Sequence, residues 1–190
     1  MSSSRPPLRA DARRNRDRLL DAARDAFRTG GDTVQLADVA RAAGVGVGTV
    51  YRHFPTREAL LETLVREHFA DLLTAADGAA DLADPFEALA GVLRDMLELQ
   101  LAQHGMSAVL VAAVDVQPDT TVAKERLDAA IGTLLRRAQE AGRLRPDVSA
   151  ADLRQLVSGV ELAQDRRDPR AADRAMAHLE IVLDGLRPCG

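Results

Sequence analysis

Apolar residues recur every three or four positions along most of the 190-residue chain. One stripe of this kind runs through the segment from about residue 11 to residue 28. Its members are Leu19, Leu20, Ala23, Ala26 and Phe27. The spacing matches the 3.6-residue period of an amphipathic α-helix, and no segment keeps the strict alternation of a half-buried strand. The pattern therefore predicts an all-α protein of about nine helices.

Two short helices are predicted to follow, from about Gln35 to Ala43 and from Val47 to Phe54. Pro55 ends the second helix, because the residue before a proline disfavours the helical conformation. A tight turn, Gly44-Val45-Gly46, separates the two, and helices joined in this way form a helix-turn-helix unit. The face predicted to be buried holds Val45, Val50 and Phe54, and the outward face holds Gly48, Thr49 and Arg52.

The pattern beyond residue 55 predicts six further helices. Their expected spans are 56–76, 86–104, 106–116, 118–141, 149–163 and 169–186. The segment from Met106 to Val116 is nearly all apolar, which is typical of a helix buried on every side.

Charge divides the chain into two parts. Residues 1–58 hold eleven arginines and seven acidic residues, so their net charge is +4. Because the whole chain has a net charge of −4, the remaining residues carry a net charge of −8. Such an asymmetry is typical of proteins that bind nucleic acid or an anionic surface. On composition alone, chance clustering on a solvated surface explains it equally well.

Other features narrow the class of protein. The single cysteine, Cys189, excludes an intramolecular disulfide and a cysteine-based metal site. No apolar run is long enough to span a membrane and the N-terminal residues lack the apolar core of a signal peptide, so a soluble, cytoplasmic protein is expected. HExxH, Walker and GxSxG motifs are absent, which makes a helical-bundle enzyme the weaker alternative. No catalytic residue, cofactor or metal ion is expected.

The segment from Leu19 to Leu61 resembles the N-terminal DNA-binding domain of the TetR family of one-component transcriptional regulators. The matching motifs are Leu19-Leu20-Asp21-Ala22-Ala23, Phe27, Val39-Ala40, Ala43-Gly44-Val45, and Gly48-Thr49-Val50-Tyr51-Arg52-His53-Phe54 followed by Arg57. The resemblance implies a disordered arm at 1–10, a three-helix helix-turn-helix DNA-binding domain at 11–58, and a helical ligand-sensing and dimerisation domain at 59–190. Arg5 and Arg9 would let the arm follow the minor groove.

The resemblance also assigns roles to residues of the second short helix and its surroundings. Val47, Gly48, Thr49 and Arg52 would read bases, while Tyr51, His53 and Arg57 would contact phosphate. Alternative roles remain open: phosphate contact alone for Arg52, a packed aromatic for Tyr51, and a surface residue for His53. The chain departs from the family where a Ser or Thr usually caps the preceding helix, because Val34 and Gln35 occupy that stretch.

For the rest of the chain, the resemblance implies a homodimer that binds a palindromic double-stranded DNA operator and is released from it by an unknown small-molecule effector. A regulator without a ligand, controlled by a protein partner or by its abundance, is the alternative. The candidate pocket residues are Met96, Leu97, Gln100, Gln103, His104, Leu110 and Val114. The candidate dimer interface is Leu153, Leu156, Val157, Val160, Leu179, Val182, Leu183 and Leu186, a stripe that is equally consistent with an intramolecular core.

Overall fold

The computed structural model describes residues 7–103 and 105–188, and within these ranges it contains nine α-helices and no strand, which confirms the predicted all-α class. The helices are α1 (Pro7–Gly30), α2 (Leu36–Ala43), α3 (Val47–His53), α4 (Arg57–Ala79), α5 (Pro85–Ala102), α6 (Met106–Val111), α7 (Pro118–Glu140), α8 (Ala150–Leu162) and α9 (Ala171–Gly185). The chain divides into two compact units, Met1–Leu64 and Val65–Gly190, and the division falls within α4.

The first helix begins earlier than the sequence pattern predicts. It starts at Pro7 rather than near Asp11, so residues 7–10 belong to α1 and not to the expected arm. Proline is favourable at the first position of a helix, because its fixed φ suits the helix and its missing N–H would have no partner there. Arg5 of the expected arm lies outside the described residues.

The first unit is held together by the predicted apolar stripe of α1. Leu19, Ala23 and Phe27 are almost fully buried, and α1 packs against α2, which in turn packs against α3. Gly30 at the end of α1 allows Val34 to pack closely against the backbone. A Cβ at position 30 would lie only 2.7 Å from Cγ2 of Val34.

Helix α5 lies at the centre of the second unit and packs against α6, α7, α8 and α9. Asp84 caps its N-terminus by accepting hydrogen bonds from the backbone N–H groups of Phe86 at 2.9 Å and Glu87 at 3.2 Å. Arg94 joins α5 to α9 through two hydrogen bonds to Glu180, at 2.7 and 3.0 Å. These bonds hold the pKa of Glu180 below its ordinary value.

Helix α6 is shorter than predicted, and the expected buried helix from Met106 to Val116 is wrong in its second half. The helix ends at Val111, and Val114 in the following loop is 83% exposed. Lys124, the only lysine of the chain, donates from Nζ to the carbonyl oxygen of Ala112 at 3.0 Å and to Asp115 at 2.5 Å. The buried Lys124–Asp115 ion pair therefore fixes this segment to α7 as a loop.

Candidate nucleic-acid interface

The turn between α2 and α3 has the geometry that the helix-turn-helix prediction requires. Gly44 adopts a left-handed conformation, with φ of 66°, which side chains other than glycine adopt only with strain. The N–H of Val45 donates to the carbonyl of Ala40 at 3.0 Å, and that of Gly44 to the carbonyl of Arg41 at 3.2 Å. This pair of bonds is a Schellman motif, which ends α2 and turns the chain into α3.

Helix α2 is capped without the serine or threonine that is usual at this position. Asp38, in the first turn, accepts a hydrogen bond from the backbone N–H of Gln35 at 3.1 Å. The reverse half of a capping box thus satisfies one backbone donor at the start of α2. Helix α3 begins after Gly46, whose carbonyl accepts from the N–H of Thr49 at 2.8 Å.

The outer face of α3 consists of the residues that the resemblance assigned to DNA contact. Val50 and Phe54 are buried as predicted, while Val45 is half-buried. Thr49 is half-buried at the edge of the face. The exposed members are Val47, Gly48, Tyr51, Arg52 and His53.

Gly48 leaves the outer face of α3 open. A Cβ built at Gly48 would meet no atom within 4 Å, so nothing in the described part of the chain covers the helix backbone there. Tyr51, the only tyrosine in the sequence, is 51% exposed. A helix face of this kind, with a small residue near its start and polar groups around it, fits the major groove of B-form DNA.

Arginines of the first unit differ in whether their charge is neutralised. Arg24, Arg28 and Arg41 each pair with the aspartate three residues earlier, at 2.9, 3.3 and 3.2 Å. Arg52 on α3 makes no hydrogen bond or ion pair with the described residues and is exposed. Its guanidinium is thus available for an anion or a base edge from a partner.

Arg57 occupies a different environment from the other candidate DNA-binding residues. At the start of α4 it is half-buried, its Nε donates to the carbonyl oxygen of Val34 at 3.2 Å, and its guanidinium carbon lies 5.0 Å from the centre of the Phe27 ring. These contacts join α4 to the rest of the first unit. Sequence reasoning assigned only phosphate contact and missed this stabilising role.

The candidate pocket residues differ in how deeply they are buried in the second unit. Met96, Leu97, Gln100 and Leu110 are fully buried, and Gln103 is half-buried. Val114 lies in the loop after α6 and is largely exposed, so in the single chain it does not share the buried environment of the others. His104 lies outside the described residues.

The candidate interface residues of α8 and α9 divide between two faces. Leu153, Val157, Leu179, Leu183 and Leu186 are buried in the core of their own unit, so the intramolecular alternative holds for these five. Only Leu156, Val160 and Val182 line the outer face, where α8 and α9 form an open groove of about 630 Å³.

Sequence reasoning missed two apolar residues of these helices that are exposed. Leu162 on α8 is 53% exposed and Ile181 on α9 is 69% exposed. Both lie on the side of their helix opposite to the buried apolar stripe. Their position relative to that stripe is the sequence signal that could have identified them as exposed.

The described ranges contain neither a metal-binding cluster nor a helix suited to cross a membrane. No cluster of three or more histidine, cysteine, aspartate or glutamate side chains there has the arrangement to bind a metal ion. Likewise, none of the helices in these ranges has both the length and the apolarity needed to cross a bilayer.

Comparison with known families finds two matches that together cover most of the chain. Residues 19–64 match the model of bacterial regulatory proteins of the tetR family. Residues 84–188, which are more than half of the chain, match the model of the C-terminal domain of SbtR-like transcriptional regulators. Both matched families consist of transcriptional regulators and not of enzymes.

Individual relatives agree with these matches. The solved TetR transcriptional regulator SCO0520 of Streptomyces coelicolor is 34% identical, with a TM-score of 0.56 over 92% of this chain and 99% of that one. The transcriptional repressor LfrR of Mycolicibacterium smegmatis is 42% identical over 50% of this chain and 49% of its own length, so that match spans about half of the relative. The transcriptional repressor Rv1474c of Mycobacterium tuberculosis is 29% identical over 90% of this chain and 79% of its own length.

Proposed function

Since the chain belongs to the TetR family of DNA-binding transcriptional regulators, we propose that it is a repressor that binds a palindromic operator as a homodimer and leaves it when a small molecule binds the second unit. The names of LfrR and Rv1474c support repression. The observation that carries the proposal is the exposed outer face of α3, with Arg52 unpaired among the described residues, beyond a rigid glycine turn. The cytoplasm, where bacterial DNA lies, is the proposed compartment.

In this proposal α3 enters the major groove. Arg52 reads a guanine edge through its two-pronged guanidinium, and the methyl group of Thr49 packs against a thymine methyl. Val47 and Gly48 allow the helix backbone to approach the bases. Tyr51 and His53 contact phosphate on either side of this surface, because both are exposed and polar.

Arg57 is proposed to contact a DNA phosphate with the same guanidinium group that stabilises the first unit. The hydrogen bond to the Val34 carbonyl fixes the guanidinium beside α1 and orients it before DNA arrives. A side chain that is already ordered loses less conformational freedom on binding than a mobile one.

The outer face of α8 and α9 is the proposed dimer interface. Its apolar residues are exposed or half-buried in the single chain and would be covered by the same face of a second copy, an arrangement with twofold symmetry. They are Leu156, Val160, Leu162, Ile181 and Val182. Two recognition helices held about 34–36 Å apart would then read two half-sites of a palindrome.

The effector is proposed to bind among the buried residues of α5 and α6, walled by Met96, Leu97 and Leu110, with Gln100 as a polar group. Ligand binding is frequent among TetR-family regulators. A ligand that binds only the released conformation shifts the protein toward that conformation, because its binding free energy differs between the two states.

Selection of binding sites from a random DNA pool tests the DNA-binding proposal. We expect recovery of a sequence with twofold symmetry and half-sites about one helical turn apart. Recovery of no common sequence, or of one asymmetric half-site, would contradict it.

Thermal denaturation with candidate effectors tests ligand control, since a ligand at 100 times its Kd adds about 2.7 kcal/mol to the free energy of unfolding.

A further inference from the structure

Among the described residues of the second unit, two side chains are fully buried and carry a polar atom that has no hydrogen-bond partner. They are Gln100 on α5, through Nε2, and Ser158 on α8, through Oγ. Helices α5 and α8 pack against each other. Buried polar atoms without partners lower stability and are rare in native proteins, so each one calls for a physical reason.

The isolation of Ser158 contrasts with four threonine side chains on helices of this protein. In each of those, Oγ1 donates to the carbonyl oxygen four residues earlier at 2.9–3.0 Å; they are Thr29, Thr63, Thr74 and Thr133. Ser158 has the equivalent carbonyl available at Arg154, but its hydroxyl does not bond to it. The hydroxyl therefore keeps its hydrogen-bonding capacity unused within its own helix.

Gln100 is satisfied at one end of its amide only. Its Oε1 accepts a hydrogen bond from Oγ of Ser107 on α6 at 2.9 Å, whereas Nε2 donates to none of the described residues. Met96 and Leu97, one turn earlier on the same face of α5, are fully buried. Apolar side chains thus precede the amide on its own face of α5.

The charged groups near these two residues are already neutralised. Glu161, one turn beyond Ser158 on α8, is buried and forms a close ion pair with Arg166. Arg166 also donates to the backbone carbonyl of Gln100 at 3.1 Å, which brings this part of α8 to the level of Gln100 on α5. Within the described part of the chain, only neutral hydrogen-bonding groups therefore remain unpaired here.

We propose that Gln100 and Ser158 bind the effector, and that the effector is an uncharged, mainly aliphatic molecule with a hydrogen-bond-accepting oxygen such as that of a ketone. This inference rests on the proposed function. Nε2 of Gln100 and the hydroxyl of Ser158 donate to the oxygen, while the aliphatic part packs on Met96, Leu97 and Leu110. A charged effector would lose its hydration with no counterion to replace it.

The composition of the second unit supports an aliphatic partner, and its methionines can make room for one. Outside the first unit the chain has only two aromatic residues, Phe69 and Phe86. Met96 and Met106 are fully buried, and the flexible methionine side chain adapts to fill or vacate irregular space.

The first test needs no ligand and compares two serine variants of the full chain. Ser158→Ala removes a hydroxyl that has no partner, so its Tm is expected to equal or exceed that of the wild type. Ser107→Ala removes the donor to Gln100 and is expected to lower the Tm. A decrease for Ser158→Ala as large as that for Ser107→Ala would show that the Ser158 hydroxyl is bonded within the protein, and would overturn the proposal.

The second test uses four probes with the same chain length: octan-2-one, n-octane, octanoate and octylammonium. Calorimetric titration of the purified full chain is expected to show that octan-2-one binds at least about fivefold more tightly than n-octane, as for one net hydrogen bond. Ser158→Ala and Gln100→Met should each reduce this preference. Equal or tighter binding of octanoate or octylammonium, or binding of none of the four, would overturn the proposed effector class.

The same preparations are also titrated with the selected operator, which separates the two levels of the proposal. Loss of the octan-2-one preference with operator binding retained would overturn only the effector class. Failure to bind any selected DNA would overturn the proposed function itself, whatever the four probes do.

Discussion

At the scale of single residues, Arg52 provides the clearest test of base recognition. Arg52→Ala is expected to weaken binding to the selected operator by roughly 1–3 kcal/mol and to relax the base preference at one position of each half-site. Fluorescence anisotropy on the operator and on variants substituted at single positions measures both effects. Arg126→Ala is the matched control, because it removes the same charge from an exposed position on α7. An equal loss on every DNA sequence would reassign Arg52 to phosphate contact.

Gly48 allows stability and DNA binding to be separated. A side chain at this position meets open space, so Gly48→Leu is expected to raise the free energy of unfolding by about 0.5–1 kcal/mol, the usual helical penalty of glycine. The same side chain would hold α3 away from the groove, and operator affinity should fall at least about tenfold, or 1.4 kcal/mol. Gly78→Leu on α4, where a Cβ also meets nothing, should stabilise the protein without weakening DNA binding. Unchanged affinity of Gly48→Leu would argue against close approach of α3.

The burial of residues in the first unit could be predicted from the sequence where it depends only on the periodicity of a single helix. Val50 and Phe54 are buried and Gly48 and Arg52 exposed, as periodicity alone indicates. The contacts of Arg57 could not be predicted, because they depend on Val34 and Phe27, which reach it only through the packing of separate elements.

At the scale of secondary-structure elements, the cap of α5 connects stability to pH. Hydrogen bonds from the backbone N–H groups of Glu87 and Phe86 and the nearby Arg143 and Arg187 lower the pKa of Asp84 below its ordinary value of 3.8. The carboxylate therefore contributes its full stabilisation above pH 3.8, and the contribution disappears as the pH falls through the lowered pKa.

Asp84→Ala is accordingly expected to lower the Tm at pH 7, because α5 loses its N-cap. The difference from the wild type should shrink as the pH decreases below 3.8, because the unfolded wild-type chain then binds a proton at Asp84 that the folded chain, with its lowered pKa, does not. Thermal melts of the two proteins from pH 7 to pH 3 measure the difference. A constant difference across this range would contradict an ionised cap.

Helices α6, α8 and α9 mark where sequence periodicity stops being informative. An apolar run predicts burial but not the end of a helix, and α6 ends early because Lys124 of α7, distant in sequence, binds Ala112 and Asp115. On α8 and α9 apolar residues occupy two faces, and only three-dimensional packing separates the buried Leu179 from the exposed Ile181.

At the scale of the whole molecule, the proposed interface predicts the oligomeric state. Ile181→Glu places a charge on the outer face of α9 and is expected to convert the homodimer into a folded monomer of 20.4 kDa, since Ile181 is mostly exposed in the single chain. Leu82→Glu is the control, because Leu82 is also about half exposed but lies in the loop between α4 and α5. Sedimentation velocity distinguishes the outcomes. A mass for Ile181→Glu equal to that of the Leu82→Glu dimer would exclude this face.

Dimerisation and DNA binding together determine how affinity depends on salt. If each protomer neutralises about four phosphates, the dimer releases counterions from about eight, and the slope of log K against log salt is expected near −7. The overall charge of −4 gives no hint of this, because the net charge is positive only over the first 58 residues and negative over the rest.

The most direct measurement is the affinity of the full chain for the selected palindrome over a range of NaCl concentrations, with the stoichiometry determined in the same titrations. Two protomers per palindrome and a slope of about −7 are expected. One protomer per site, or a slope weaker than about −2, would contradict binding of a palindrome by a homodimer through two α3 helices.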